Sequence, residues 1–300
     1  MSKTPLVSVI CLCYNHARFV EAAIRSVWSQ TYQNIELIVV DDSSSDGSVD
    51  IIKNTIEGSE TTFIQLEKNV GNCKAFNLGF RVSKGDFVID LAADDMLLPP
   101  RVELGINDFL NSSKKAGVHF SDVFLANEAG QIVNTMYERN QAGQLLEQIP
   151  VDDIYSKLIS KHFISAPSMM IRREVLEELK GYDENLSYED FDFWIRSARR
   201  HHYIFNKAPL MKKRMVSDSH AKSQRKPFNR HQNSTFAVCR KIFDLNKNPE
   251  EYEQLIIRCK YEIGQCLMTL NFGLAFKYWK LSLESRAAHR RLSSSSSIEI

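Results

Sequence analysis

Apolar positions along this chain fall into two alternating rhythms. Leu6 to Tyr14 is a near-continuous apolar run, the mark of a strand covered on both faces, and it gives way to Val20, Ile24 and Val27 at helical spacing. Ile35 to Val40 repeats the strand pattern and ends in Asp41-Asp42. Turn and cap residues follow from Ser43 to Gly47, then Val49, Ile52 and Ile56 at helical spacing. Thr62 to Leu66 predicts a third strand, and after Asn69-Val70-Gly71 a helix is expected through Ala75, Leu78 and Val82 to a stop at Gly85. Phe87, Val88, Ile89 and Leu91 predict a fourth strand that runs straight into Asp94-Asp95, with Pro99 and Pro100 close behind. Alternation at this spacing predicts an α/β fold with a parallel, three-layer sheet and right-handed crossovers. Both acidic pairs then lie at strand carboxyl ends, where open α/β sheets bind ligands.

Beyond Pro100 the rhythm changes. A helix is expected near Val102 to Leu110, a strand at Val118 to Leu125, and a turn at Asn127 to Gly130 before Gln131-Ile132-Val133, which together read as mixed or antiparallel structure. In Ser187 to Trp194 a further acidic cluster precedes an apolar helix face of Phe191, Trp194, Ile195 and Ala198, which puts Glu189 and Asp190 at that helix's amino end. Residues 217–233 are polar and basic and read as a loop or linker. Helical spacing resumes over Ser234 to Leu245, Glu251 to Leu270 and Phe272 to Leu292, and the serine run Ser293 to Ser297 opens an expected disordered tail over 293–300.

Composition narrows the function classes. With 300 residues the chain can bury a sizeable core, and a net charge of +1 gives no argument for nucleic acid as a partner. No charged amino-terminal segment with an apolar signal core is present and no apolar run approaches the ~20 residues that span a bilayer, so a cytoplasmic protein is expected. The six cysteines include no Cys-x-x-Cys pair and read as reduced core residues. Phe276, Trp279 and Leu283 among Lys277, Lys280, Arg286, Arg290 and Arg291 form a pattern with two readings. Packing onto the α/β domain or another subunit is favoured, and peripheral contact with an anionic membrane surface through this basic helix is the alternative.

Two carboxylate sites on one sheet edge fit a ligand that has both hydrogen-bond donors and phosphates. One acid accepts from a base or ribose, and another holds a divalent cation, Mn²⁺ or Mg²⁺, which prefers hard oxygen ligands and bridges carboxylates to phosphate oxygens. A nucleoside diphosphate has those features. No Gly-x-x-x-x-Gly-Lys-Ser/Thr loop and no Gly-x-Gly-x-x-Gly follows the first strand, which removes the common nucleoside triphosphatase and dinucleotide readings. Lys74, Arg214, Lys222 and Arg225 are the cationic candidates for phosphate. A phosphorelay receiver would need an aspartate at the end of its third strand, where this chain has Glu67-Lys68-Asn69.

Several of these stretches carry a resemblance when taken together: Val7 to Asn15, Ile24 to Tyr32, Glu36 to Ser44 with Asp46-Gly47, Asn69-x-Gly71, Ala75-x-Asn77-x-Gly79 and Ala93-Asp94-Asp95. In order and spacing they resemble glycosyltransferase family 2, closely over the first third of the chain, and Glu189-Asp190 before Trp194 resembles that family's acidic pair in the acceptor half. The resemblance implies a GT-A fold, a three-layer Rossmann-like nucleotide-diphospho-sugar transferase fold, here with a helical C-terminal extension. It implies inverting transfer from a nucleotide sugar, with uridine diphosphate the commonest carrier, to a glycan or lipid-linked acceptor in surface polysaccharide synthesis. Leu12, Tyr14, Asn15, Asp42, Gly71, Lys74 and Asp94 are the implied donor-binding residues, Asp95 the metal ligand and Asp190 the general base, since inversion in one displacement needs a group to take the acceptor's proton. The chain departs from the pattern at Ala92, where members often carry aspartate, at Phe76, where they often carry arginine, and after Arg214, where many carry histidine; His220 is a displaced candidate for a metal ligand, and the alternative reading that these departures leave is a non-catalytic glycan- or nucleotide-binding protein that keeps the fold. The expected organisation is a catalytic domain over 1–216, with a nucleotide-sugar half over 1–115 and an acceptor half over 116–216, then the linker over 217–233, a helical region over 234–292 and the tail.

Overall fold

A computed structural model describes residues 4–215 and 230–296. The chain divides into two units, and they interleave along the sequence. The first takes residues 1–153, 164–184 and 200–216, and the second takes 154–163, 185–199 and 217–300. This differs from the expected boundary, because segments 154–163 and 185–199 of the supposed acceptor half belong to the second unit.

The first unit is built on strands β1 (Val7–Cys13), β2 (Ile35–Asp41), β3 (Thr62–Gln65) and β4 (Phe87–Ala92), which pair in parallel in the order β3-β2-β1-β4. Every residue of β1 is buried, which is why its apolar run shows no alternation. Helices α1 (Val20–Trp28), α2 (Ser48–Ile56) and α3 (Asn72–Val82) form the crossovers. Helix α3 presses directly onto the sheet at Gly79, where a Cβ would stand 2.7 Å from Ile10 Cγ2, so the small residue sets how closely the helix approaches. Past β4 the sheet becomes mixed. The short β5 (Met96–Leu97), helix α4 (Arg101–Leu110), β6 (Ala116–Ala126), β7 (Ile132–Thr135), β8 (Met170–Arg172), helix α6 (Arg173–Leu179) and β9 (His202–Arg214) complete this unit. The order continues β4-β8-β6-β9-β5, with β7 on β6, to nine strands among the described residues. Strand β8 is antiparallel to β4 and β6, and β9 runs parallel to β6 and antiparallel to β5.

The second unit contains α5 (Tyr155–Ser160), α7 (Asp190–Ala198) and three long helices, α8 (Arg230–Leu245), α9 (Pro249–Met268) and α10 (Phe272–Ser296). Asn248 caps α9 by accepting from Glu251 N at 3.0 Å, ahead of Pro249 in the first turn. Helix α7 is nearly surrounded, with Phe191, Phe193, Trp194 and Ile195 buried, and its buried Asp192 is neutralised by Arg196 and Lys241, both at 2.6 Å. Buried Arg258 pairs with Glu262 at 2.8 Å and lies over the Phe191 ring. Helix α8 starts at Arg230, inside the stretch expected to be a linker, and α10 runs on to Ser296, through most of the serine run expected to be disordered. Serine is only mildly unfavourable in a helix, so the run does not end one. The remainder of the linker and tail lies outside the described residues.

Among the described residues of this one chain, Phe276, Trp279 and Leu283 are left exposed. Phe276 is 62% exposed and Trp279 50%, stacked on each other at 5.4 Å. Helical spacing identifies a face but not what covers it. All six cysteines are free and buried, as expected.

Candidate active site

The carboxyl ends of β1, β2 and β4 lie side by side, because Cys13 is paired with Asp41 and Leu12 with both Val40 and Ala92. Whatever follows those strands therefore meets on one edge. Tyr14 and Asn15 follow β1, Asp42 follows β2, and Asp94 and Asp95 follow β4. Of the expected donor residues Leu12 is buried within β1, whereas the Tyr14 ring stands 46% exposed just beyond it.

Two loops are bound to each other here by side chains. Asn15 takes a left-handed backbone, φ 58°, and its carboxamide oxygen accepts from Ser45 N at 2.8 Å, while its own N–H donates to Ser44 Oγ at 2.8 Å. Asp46 accepts from Ala17 N at 2.9 Å and Ser48 N at 3.0 Å, and buried Asp41 accepts from Ser44 N at 2.9 Å. The β1–α1 and β2–α2 loops thus form one floor. Asn15, expected as a donor contact, is one of the residues that hold that floor; the joint action of Ser44, Asp46 and Ser48 was not foreseen, because each is also an ordinary cap residue.

Asp42 is buried, and its two oxygens accept from Val70 N at 2.7 Å and Gly71 N at 2.9 Å. Burial raises its pKa, and those two N–H groups oppose the shift. Each oxygen keeps a further lone pair. Gly71 has φ 87°, which favours glycine, and no described residue stands within 4 Å of where its Cβ would be, so among the described residues the approach to the amino end of α3 is open. Exposed Lys74 sits in the first turn of that helix, whose N-terminal N–H groups favour an anion.

Asp95 is buried and accepts from Arg214 N at 2.8 Å. Burial and the adjacent Asp94 charge raise its pKa well above the usual carboxylate range, against the pull of the Arg214 N–H, Lys213 and the Arg214 guanidinium. Arg214 was a phosphate candidate. Its guanidinium is instead engaged with the Asp94 carbonyl at 3.0 Å and the Glu128 carbonyl at 3.0 Å, and lies over the Phe19 ring at 4.6 Å. It fastens the acidic turn from the end of β9. Lys222, Arg225 and His220 lie outside the described residues.

Among the described residues no three metal-ligating side chains are gathered together. The donor set still fits a hard cation bound jointly with a ligand. Two adjacent carboxylates, one forced upward in pKa by burial and by the other, would be relieved by a divalent ion that took its remaining oxygen ligands from a bound molecule.

Asp190 belongs to the second unit, as the first residue of α7. Its Oδ1 accepts from Phe191 N at 2.8 Å, and Glu189 stands just before it as the N-cap residue. The helix dipole there favours the ionised carboxylate.

In comparison with known proteins, the family model described as Glycosyl transferase family 2 matches residues 8–180. An uncharacterized glycosyltransferase of Methanocaldococcus jannaschii is 30% identical over 196 residues, covering 64% of this chain and 64% of that protein. One from Nostoc sp. is 31% identical over 178 residues, covering 59% and 54%. The chain thus spans less than two thirds of these relatives' own length. Among solved structures, S. aureus TarS in complex with UDP-GlcNAc is similar with a TM-score of 0.66 and 14% identity over 94% of this chain and 92% of that one. The mannosyltransferase PcManGT from Pyrobaculum calidifontis, in complex with GDP-Man and Mn²⁺, is similar with a TM-score of 0.63 and 16% identity over 97% and 85%. At those identities the likeness is one of fold, and the fold is GT-A. With the family model matched over more than half its length, the chain belongs to glycosyl transferase family 2.

Proposed function

We propose that this chain transfers a sugar, with inversion, from a nucleoside diphosphate sugar to a hydroxyl of a glycan or lipid-linked acceptor in surface polysaccharide synthesis. The observation that carries the reading is the convergence of Tyr14, Asp42, Asp94 and Asp95 on the carboxyl ends of three adjacent parallel strands. An exposed ring suits stacking of a base, a carboxylate with lone pairs left over suits base or ribose donors, and an acidic pair suits a cation shared with a diphosphate. TarS and PcManGT, of the same fold, are found with UDP-GlcNAc and with GDP-Man and Mn²⁺, which supports a nucleotide-sugar donor here.

In this reading Asp95, with Asp94 beside it, holds Mn²⁺ or Mg²⁺. The ion supplies charge neutralisation for the departing diphosphate. Asp42 and Tyr14 orient the nucleoside, and Lys74 with the open amino end of α3 favours the phosphates. Asp190 takes the acceptor's proton as the acceptor oxygen attacks the anomeric carbon and the bond to the diphosphate breaks. The resemblance of Glu189-Asp190 and the helix-start setting of Asp190 support that role.

Thermal-shift titration with uridine, guanosine and thymidine diphosphates, each with and without Mn²⁺, tests the donor site, because a ligand that binds only the folded chain raises its melting temperature. One nucleotide should give a metal-dependent rise that Asp95→Asn abolishes. No rise with any of them would overturn the reading.

A further inference from the structure

The turn joining α9 to α10 is apolar outside and polar inside. Leu267, Met268, Leu270 and Phe272 are exposed, Met268 to 70%, and the exposed stripe continues along α10 through Phe276 and Trp279. On the inner side buried Thr269 accepts from Gln232 Nε2 at 2.8 Å and Asn271 donates to Gln232 Oε1 at 3.1 Å. The turn is therefore pinned in place. Leu270 even holds a left-handed backbone, φ 59°, at a helix end where glycine or asparagine is favoured, yet it presents its side chain outward. Contiguous exposed apolar surface of this kind marks a contact surface.

Charge selects the occupant. Lys277 and Lys280 flank the stripe and Arg286, Arg290 and Arg291 extend along the same helix, while the acid on this stretch, Glu284, is ion-paired with Arg240. Pairing this face with a second copy of the chain would bring like charges together. An anionic lipid surface instead attracts the basic residues while the apolar tip enters the headgroup and acyl boundary. No helix among the described residues is long and apolar enough to cross a membrane, so the contact is of a helix lying on the surface. We infer that the α9–α10 hairpin docks the protein on an anionic membrane through Leu267, Met268, Leu270, Phe272, Phe276 and Trp279, with Lys277 and Lys280 at the headgroups. This does not depend on the proposed transfer reaction.

The test is co-sedimentation of the full chain with vesicles of phosphatidylcholine alone or mixed with phosphatidylglycerol, at low and high salt. Two double variants are compared, Phe276→Ser with Trp279→Ser and Lys277→Gln with Lys280→Gln. All four side chains are exposed, Trp279 by half, so melting temperatures should fall by at most a few degrees and a single cooperative transition confirms folding. Binding should appear only with the anionic lipid, weaken with salt, fall roughly five-fold for each lysine removed and vanish in the serine variant. Absence of binding to anionic vesicles, or equal binding by the serine variant, would overturn the inference. So would self-association in sedimentation velocity that the serine variant loses, without any vesicle binding. Nucleotide thermal shifts run in parallel report on the donor site separately.

Discussion

Replacing Arg214 should damage the acidic turn without touching either aspartate. Its guanidinium makes hydrogen bonds to the Asp94 and Glu128 carbonyls, both at 3.0 Å, and covers the Phe19 ring at 4.6 Å. Two charge-assisted hydrogen bonds at about 1.5 kcal/mol each, plus about 0.5 kcal/mol for the ring contact, less what water restores at a half-buried site, leave roughly 2–3 kcal/mol. Arg214→Met should therefore lower the melting temperature by about 5–10 °C. Arg214→Lys, which keeps the charge and at most one of the bonds, should lose roughly half as much. If about 1 kcal/mol of the loss is the cost of reordering the turn on binding, nucleotide affinity with Mn²⁺ falls roughly five-fold in both variants. Charge separates them. The guanidinium helps hold the Asp95 pKa down, so Arg214→Met should also move the pH needed for metal-dependent binding upward, and Arg214→Lys should not. Thermal-shift titrations with the diphosphate and Mn²⁺ across pH read all of these quantities. Unchanged stability and affinity in Arg214→Met would refute the positioning role.

Asp190→Asn should reduce transfer about 10²- to 10⁴-fold while leaving the nucleotide thermal shift intact, the signature of a lost general base and not of a lost donor contact. Burial lowers the pKa of His119 from 6.5 to about 4 despite its 2.8 Å contact with Asp108. The unfolded chain then binds the proton more readily between those values, so stability present at neutral pH should fall by about 3 kcal/mol as pH drops from 6.5 to 4; a urea midpoint that did not move over this range would contradict it. Gly181→Ala should destabilise by roughly 2–4 kcal/mol, because φ is 74° and the new Cβ would stand 2.3 Å from Asn77 Oδ1, which accepts from Tyr182 N; thermal melts check this.

The β-α alternation and the acidic strand ends were legible because buried parallel strands write near-continuous apolar runs and the carboxylates interrupt them. Asp42 and Asp95 could be named from sequence for that reason. Their hydrogen-bond partners could not: Gly71 and Arg214 lie 29 and 119 residues away, and only the strand order decides which loop each aspartate faces. Strands β5 and β8 were missed because two or three residues carry no period. The interleaving of the two units was invisible for a related reason, since 154–163 and 185–199 have ordinary helical spacing and nothing local says which core they join. Phe276 and Trp279 show the limit from the other side, having core spacing without core burial.

Strand β9 ends at Arg214, the residue that gives Asp95 its N–H and grips the Asp94 carbonyl, yet the family signature itself ends at residue 180. A fragment cut at the end of that signature would retain every acidic residue of the donor edge and still lack the strand that fixes two of them. During synthesis the same order holds: the aspartates leave the ribosome early, and the strand that completes their turn arrives more than a hundred residues later. Until then the Asp94-Asp95 loop lacks its β9 partner, so under the proposed function donor binding should mark completion of the first unit and not its onset.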